Sequence, residues 1–202
     1  TAITATAAEI NLLDGLTTIG SGILSSVTEN GNTGVRLSTS NTSNHGDIGS
    51  NAVDLSYSDS SSTTKGATGT SSTATGRETT ASGNYSTAMG RETTASGARS
   101  TAMGRSTTAS GYNSTAMGGY TTASDYASTV IGQYNSSGSS ATSANSFSTS
   151  APAFVIGNGA DSSNKSDAFK VLFNGDATVS NDLTVSGAVS YTHLTLPTSN
   201  SV

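Results

Sequence analysis

The chain has 202 residues, of which 32% are hydrophobic, and a formal net charge of −5 from 8 basic and 13 acidic residues. So little apolar material excludes an ordinary globular core, and so few Lys and Arg exclude a phosphate-binding face for nucleic acid. With 10% charged residues and two prolines the chain also lacks the composition of disordered segments, which leaves a regular hydrogen-bonded stack of small side chains.

Residues 1–27 are expected to form a helical connector or neck. Thr6 and Glu9 have capping-box spacing, Ile10, Leu12 and Leu13 follow, and Gly15 closes the segment. The phrase from Ala8 to Gly15 is similar to a module of long phage-type fibres, where three copies would pack their leucine faces. Residues 28–64 hold strand-like runs, Val35 to Ser38 and Ala52 to Tyr57, separated by Asn-Gly and Gly-Asp turns. They are expected to lead into the segment that follows.

Residues 65–135 repeat with a period of 14. Ser72-Thr73-Ala74-Thr75-Gly76 aligns with Ser86-Thr87-Ala88-Met89-Gly90, Ser100-Thr101-Ala102-Met103-Gly104, Ser114-Thr115-Ala116-Met117-Gly118 and Ser128-Thr129-Val130-Ile131-Gly132. A second element, Thr79 to Gly83, recurs at Thr93 to Gly97, Thr107 to Gly111 and Thr121 to Asp125, with a degenerate copy at Lys65 to Gly69. Each five-residue element reads as a short strand, and its terminal glycine opens the φ range that a corner needs. Two strands and two corners make one coil, and stacked coils satisfy each other's backbone groups at about 4.8 Å. Alternation places Thr87 and Met89 on one face and Ser86, Ala88 and Gly90 on the other. Met89, Met103, Met117 and Ile131 are expected to line the apolar interior. Ala88, Ala102 and Ala116, with Gly90, Gly104 and Gly118, complete the repeat core, and the alanines permit close approach of partner chains. So thin a coil is expected to need self-association.

Serine, a β-former, alanine, an aliphatic residue and glycine on this period resemble the YadA-like head of trimeric autotransporter adhesins. The resemblance covers residues 65–135 and reaches back toward Ala52. It implies an all-β fold, a left-handed parallel β-roll (a β-solenoid) that packs side by side as a homotrimer. It also implies a non-catalytic surface-fibre segment at the bacterial outer membrane or otherwise extracellular. Such a segment mediates attachment to a host cell, a matrix or another surface through a surface glycan or an extracellular protein receptor. Similar repeats occur in phage and prophage tail fibres, so receptor binding by a virion fibre is the alternative. Collagen-binding heads read Asn-Ser-Val-Ala-Ile-Gly-x-x-Ser; only the run from Asn113 to Thr121 approaches this, with Tyr85 and Arg99 standing in the Asn place elsewhere. The fold is therefore carried over and the collagen ligand is not.

Residues 136–188 are expected to hold a capping coil, a hairpin and the start of a stalk. The stretch from Ser136 to Ser150 changes register, and Phe154-Val155-Ile156-Gly157 then repeats the strand ending with larger side chains. Phe169 to Phe173 and Asp176 to Val179 flank Asn174-Gly175, a strong hairpin signal. Residues 189–202, which include Tyr191-Thr192-His193-Leu194-Thr195-Leu196-Pro197-Thr198, resemble translated sequencing-library adapter. They are expected to be a non-native tail of a metagenomic fragment and are set aside from fold reasoning.

The sequence offers no catalytic, cofactor or metal site. His45 is the sole histidine before the adapter-like tail and reads as a loop residue. Asp161, Asn164 and Asp167 lack the calcium-loop spacing. No Gly-x-x-x-x-Gly-Lys-Ser/Thr loop occurs, and the absence of cysteine removes disulfides and thiolate ligands. No apolar run is long enough for a membrane helix, so no direct membrane contact is expected. Tyr85, Tyr112, Asn113 and Tyr120 in the linkers, with the stacked Arg77, Arg91 and Arg105, form the candidate ligand surface. Corner packing is the competing account of the tyrosines. For the arginines, a solvated charge rank competes with pairing to Glu of a neighbouring chain. Threonine ranks raise an ice-binding alternative, but Thr79 and Thr80 face opposite ways, which leaves one rank where a paired array needs two.

Overall fold

Strands of this sequence alternate a small inward side chain with a larger outward one, and the architecture follows from that parity. The computed structural model describes residues 23–184. β1 (Leu24–Glu29) and β2 (Asn32–Leu37) form an antiparallel hairpin around Asn30 and Gly31, both at positive φ. β3 (Val53–Tyr57) joins β2 in parallel. From there short and long strands alternate: β4 (Gly66–Ala67), β5 (Thr73–Arg77), β6 (Thr80–Ala81), β7 (Thr87–Arg91), β8 (Thr94–Ala95) and β9 (Thr101–Arg105). The alternation continues through β10 (Thr108–Ala109), β11 (Thr115–Gly119), β12 (Thr122–Ala123) and β13 (Thr129–Gln133). β14 (Pro152–Asn158), β15 (Asp167–Leu172) and β16 (Ala177–Val179) complete the described chain.

The long strands make an 11-stranded sheet ordered β1-β2-β3-β5-β7-β9-β11-β13-β14-β15-β16, and the short ones a 5-stranded sheet ordered β12-β10-β8-β6-β4. Like stacks on like: Thr87 pairs with Thr101, Ala88 with Ala102, Met89 with Met103, Gly90 with Gly104 and Arg91 with Arg105. The fold is thus the expected all-β solenoid of 14-residue coils. The second element of each coil is shorter than expected, a two-residue strand, because its threonine and glycine ends turn the corners.

The expected interior is reversed. Ala74, Ala88, Ala102, Ala116, Val130 and Val155 of the long sheet meet Ala67, Ala81, Ala95, Ala109 and Ala123 of the short sheet, all at 0% exposure. Met89, Met103 and Met117 lie on the outer face at 41%, 37% and 38%. The gap between the sheets holds one methyl group from each side, so the longer side chain of each alternating pair must point out.

The glycine ranks also have two causes. Gly76, Gly90, Gly104, Gly118 and Gly132 have φ between 93° and 121°, as the corner argument requires. Gly83 and Gly97 do not; there a Cβ would lie 2.1 Å from the carbonyl oxygen of the equivalent glycine in the next coil. Asp125 occupies this rank in the last short-strand coil. Its buried Oδ1 accepts the N–H groups of Thr142 and Ser143 at 2.5 and 2.6 Å, which seats the loop covering β12.

Both ends of the long sheet are closed by antiparallel strands, which keeps its parallel edges from pairing further. β15 and β16 form the hairpin expected at Asn174-Gly175, and β14 pairs in parallel with β13 as the expected capping strand. β1 begins at Leu24, inside the segment expected to be helical; the Asn30-Gly31 turn folds it back on β2 instead. The remainder of the expected neck helix and the adapter-like tail lie outside the described residues.

Candidate functional site

The corner residues build two separate edges, one at each end of the long strands. Along one edge, the Arg99 guanidinium carbon lies 5.7 Å from the Tyr85 ring centre and 5.1 Å from that of Tyr112. Tyr112 stacks on Tyr126 with centroids 5.6 Å apart and planes 2° from parallel. Tyr85 is 58% exposed, and Asn113, two coils further along the same rank, is also exposed, in the left-handed region at φ 58°. On the other edge Arg105 sits 5.3 Å from the Tyr120 ring, and Tyr120 stacks on Tyr134 at 4.5 Å. Rings stacked coil on coil spend their faces on one another, so these ladders staple the corners.

The arginine rank is paired within the chain. Arg77 bonds Asp59, whose carboxyl this contact holds below its usual range. Arg91 meets Glu92 at 2.9 Å. Glu92 also accepts the Ser106 hydroxyl, which lowers its carboxyl too. The candidate ligand residues therefore divide between two edges. Of the weighed threonine ranks, Thr79, Thr93, Thr107 and Thr121 are fully buried.

Between the edges lies the outer face of the long sheet. One row runs from Leu55 through Thr75, Met89, Met103, Met117, Ile131 and Ile156 to Phe169, in register across eight strands. Its members are half-buried to exposed, and nothing among the described residues covers them.

His45 lies in the loop between β2 and β3, as expected from sequence, but it is buried there. It is 6% exposed, with Nδ1 3.1 Å from Asp54 Oδ2. Asp54 takes an interior position and also meets Arg36 Nε at 3.2 Å, while Arg36 Nη1 reaches Glu29 at 2.7 Å and Nη2 donates to the Gly46 carbonyl at 2.9 Å. Ser56 donates its N–H and hydroxyl to Asp54 Oδ1. Burial pushes the Asp54 carboxyl up, but the bonds from His45 and Ser56 outweigh it and hold the pKa below its ordinary value. Sequence reasoning missed this cluster, whose members lie on β1, β2, β3 and the loop between β2 and β3. It plugs the first coil with every charge partnered. Asp161, weighed as an ion ligand, instead accepts N–H groups of Ser163 and Asn164 at 2.8 and 2.9 Å. Among the described residues no group of three or more His, Asp or Glu is placed to hold a metal ion.

A parallel solenoid of small-residue coils, stapled at its edges and bare along one apolar face, is a structural repeat that presents surfaces. Residues 67–135 match the YadA head domain repeat in four overlapping windows, 67–93, 81–107, 95–121 and 109–135, each spanning two copies. This part of the chain is built of YadA head repeats, a structural adhesin-type module. No curated protein and no solved structure matched the chain.

Proposed function

We propose that the chain is a segment of a homotrimeric, non-catalytic surface fibre, displayed outside the cell and attached at a bacterial outer membrane. Its head of residues 65–135 presents a surface to a glycan or an extracellular protein of a host cell, matrix or other substratum. The observation that carries this reading is the uncovered row centred on Met89, Met103 and Met117. A contiguous apolar strip on an otherwise polar monomer marks an interface. Three copies related by an axis along the stack would bury it from end to end. The alanine rank, fully enclosed, is not available for that contact. Within this organisation the neck ends before Leu24, and residues 136–188 cap the head and begin a stalk.

A tail-fibre segment is the second reading, favoured by the fibre-like phrase from Ala8 to Gly15. Light scattering on the chain tests the assembly that both share: a mass about three times the monomer's 19.9 kDa is expected, and a stable folded monomer refutes it. Binding to an array of glycans and matrix proteins then tests the adhesive role.

A further inference from the structure

The basic residues of this acidic chain are almost all spoken for. Arg36 faces Glu29 and Asp54, Lys65 faces Glu78, Arg77 faces Asp59 and Arg91 faces Glu92. Arg99 and Arg105 lie over tyrosine rings. Among the described residues the two cations left without a carboxylate, ring or hydrogen-bond partner are Lys165 and Lys170, two of the chain's three lysines. Both line the same cleft, about 530 Å³ in volume.

The cleft exists because the solenoid stops unevenly. The short sheet ends at β12, whereas the long sheet continues through β14, β15 and β16. Lys170 lies opposite the fully buried Val155, and Thr178 lies opposite Lys170. Directly opposed residues share a face, so Lys170 and Thr178 occupy the inner face, beyond the point where a second sheet would cover it. Ile156 and Phe169 occupy the other, apolar face. Ser136, Ser137 and Asn158 help to form the walls. The sole carboxylate there, Asp167, is committed: its two oxygens accept the N–H groups of Ser136 and Ser137 at 2.8 and 2.9 Å.

We propose that this cleft binds an anionic saccharide, a sugar bearing a carboxylate or a sulfate. The two ammonium groups, neither paired to a carboxylate, outnumber the one carboxylate of the cleft and leave it net positive for the anion. Hydroxyl and amide groups of both donor and acceptor character suit a polyol, and the volume is that of a small-molecule site, about 300–1,000 Å³, and not that of a lone ion. The choice of a saccharide rests on the attachment reading above; the charge and shape of the site do not. The cleft faces away from the methionine row, so assembly through that row leaves it open.

The test is a calorimetric titration of the full chain with a sialylated trisaccharide, a sulfated version of the same core, the neutral core and inorganic sulfate. At least one acidic sugar is expected to saturate the site, and whichever does so identifies the source of the anion. The neutral core and inorganic sulfate are expected to bind far more weakly. Lys165→Gln and Lys170→Gln should each weaken the acidic sugar about tenfold and together abolish it, with melting temperature unchanged because neither lysine is bonded within the fold. Absence of acidic-sugar binding, equal binding of the neutral core or of inorganic sulfate, or unchanged affinity in the double variant overturns the proposal. Light scattering on the same samples separates the two readings: a trimer that binds no acidic sugar refutes the cleft alone, and a monomer that binds one refutes the assembly alone.

Discussion

The carboxamide of Asn135 holds the backbone of Thr122 as a neighbouring strand would, accepting its N–H at 2.8 Å and donating to its carbonyl at 2.9 Å. In earlier coils Thr80, Thr94 and Thr108 donate to the carbonyls of Thr93, Thr107 and Thr121. Asn135 stands one period beyond Thr121 in that rank, and offers a side-chain oxygen where the next coil's carbonyl would be. Asn135→Ala leaves both groups of Thr122 without these partners at a site 1% exposed, and is expected to cost about 2–3 kcal/mol. Urea unfolding measures that loss, and faster hydrogen exchange at the Thr122 amide locates it. Asn135→Asp keeps the acceptor but sets a buried carboxylate oxygen against the carbonyls of Thr122 and Ser137, and should cost at least as much.

Why such a cap escapes a reading of the sequence is a matter of range. The coils are local: the 14-residue period, the Thr-Ala parity and the Asn174-Gly175 turn are written within a few residues of where they act. The caps are not. Asn135 acts through a side chain imitating backbone, and Arg36 meets Asp54 across 18 residues. Parity itself shows only that Ala102 and Met103 face opposite ways; which one is inside depends on the width of the gap, set by alanines of the opposing sheet. Likewise the lysines of the terminal cleft look like ordinary solvated charges until the pairing of every other cation is known.

That width can be probed at adjacent residues. Ala102→Leu forces three extra carbons between the sheets and is expected to destabilise the coil by about 3 kcal/mol or more, seen as loss of the β-sheet circular dichroism at lower temperature. Met103→Asp places its charge on the outer face and leaves the coil's own packing intact. Light scattering should then show the trimer dissociating while the dichroism is retained. If Met103→Asp kept the trimer mass, the outer row would not be the interface.

The plug at the first coil makes stability sensitive to acid. Because the folded pKa of Asp54 is depressed below 3.8, its contribution is fully present above that value and is lost as pH falls through the folded pKa. Thermal melts from pH 6 down to pH 2 should show a decline beginning near pH 4. Asp54→Asn should lower stability at neutral pH by about 3–5 kcal/mol, since Arg36 is then left buried with half its pairing, and should flatten part of the acid decline.

Gly97 separates the two reasons for glycine. Its φ is ordinary, but an added Cβ would meet the Gly111 carbonyl oxygen at 2.1 Å, with backbone on both sides unable to give. Gly97→Ala is therefore expected to split the stack between neighbouring coils and prevent cooperative folding. The purified variant should lack a sigmoidal melt. A melt within a few degrees of the parent would show that the coils slide apart easily, contrary to the continuous ladder.

The corner rank Ser71, Tyr85, Arg99, Asn113 and Ala127 lies in the left-handed region throughout, at φ between 52° and 61°. An L-residue there costs about 1–2 kcal/mol, which glycine avoids at about 0.5–1 kcal/mol of lost chain entropy. Ala127 has no long side chain whose contacts could offset the strain. Ala127→Gly is therefore expected to stabilise the fold by about 0.5–1 kcal/mol, read as a rise in the urea midpoint at constant slope. Arg99→Gly relieves the same strain but removes the guanidinium between Tyr85 and Tyr112, a loss of about 0.5–1 kcal/mol per ring contact, and should come out neutral or destabilising. If Arg99→Gly matched Ala127→Gly, the arginine would be a passenger on the edge and not one of its staples.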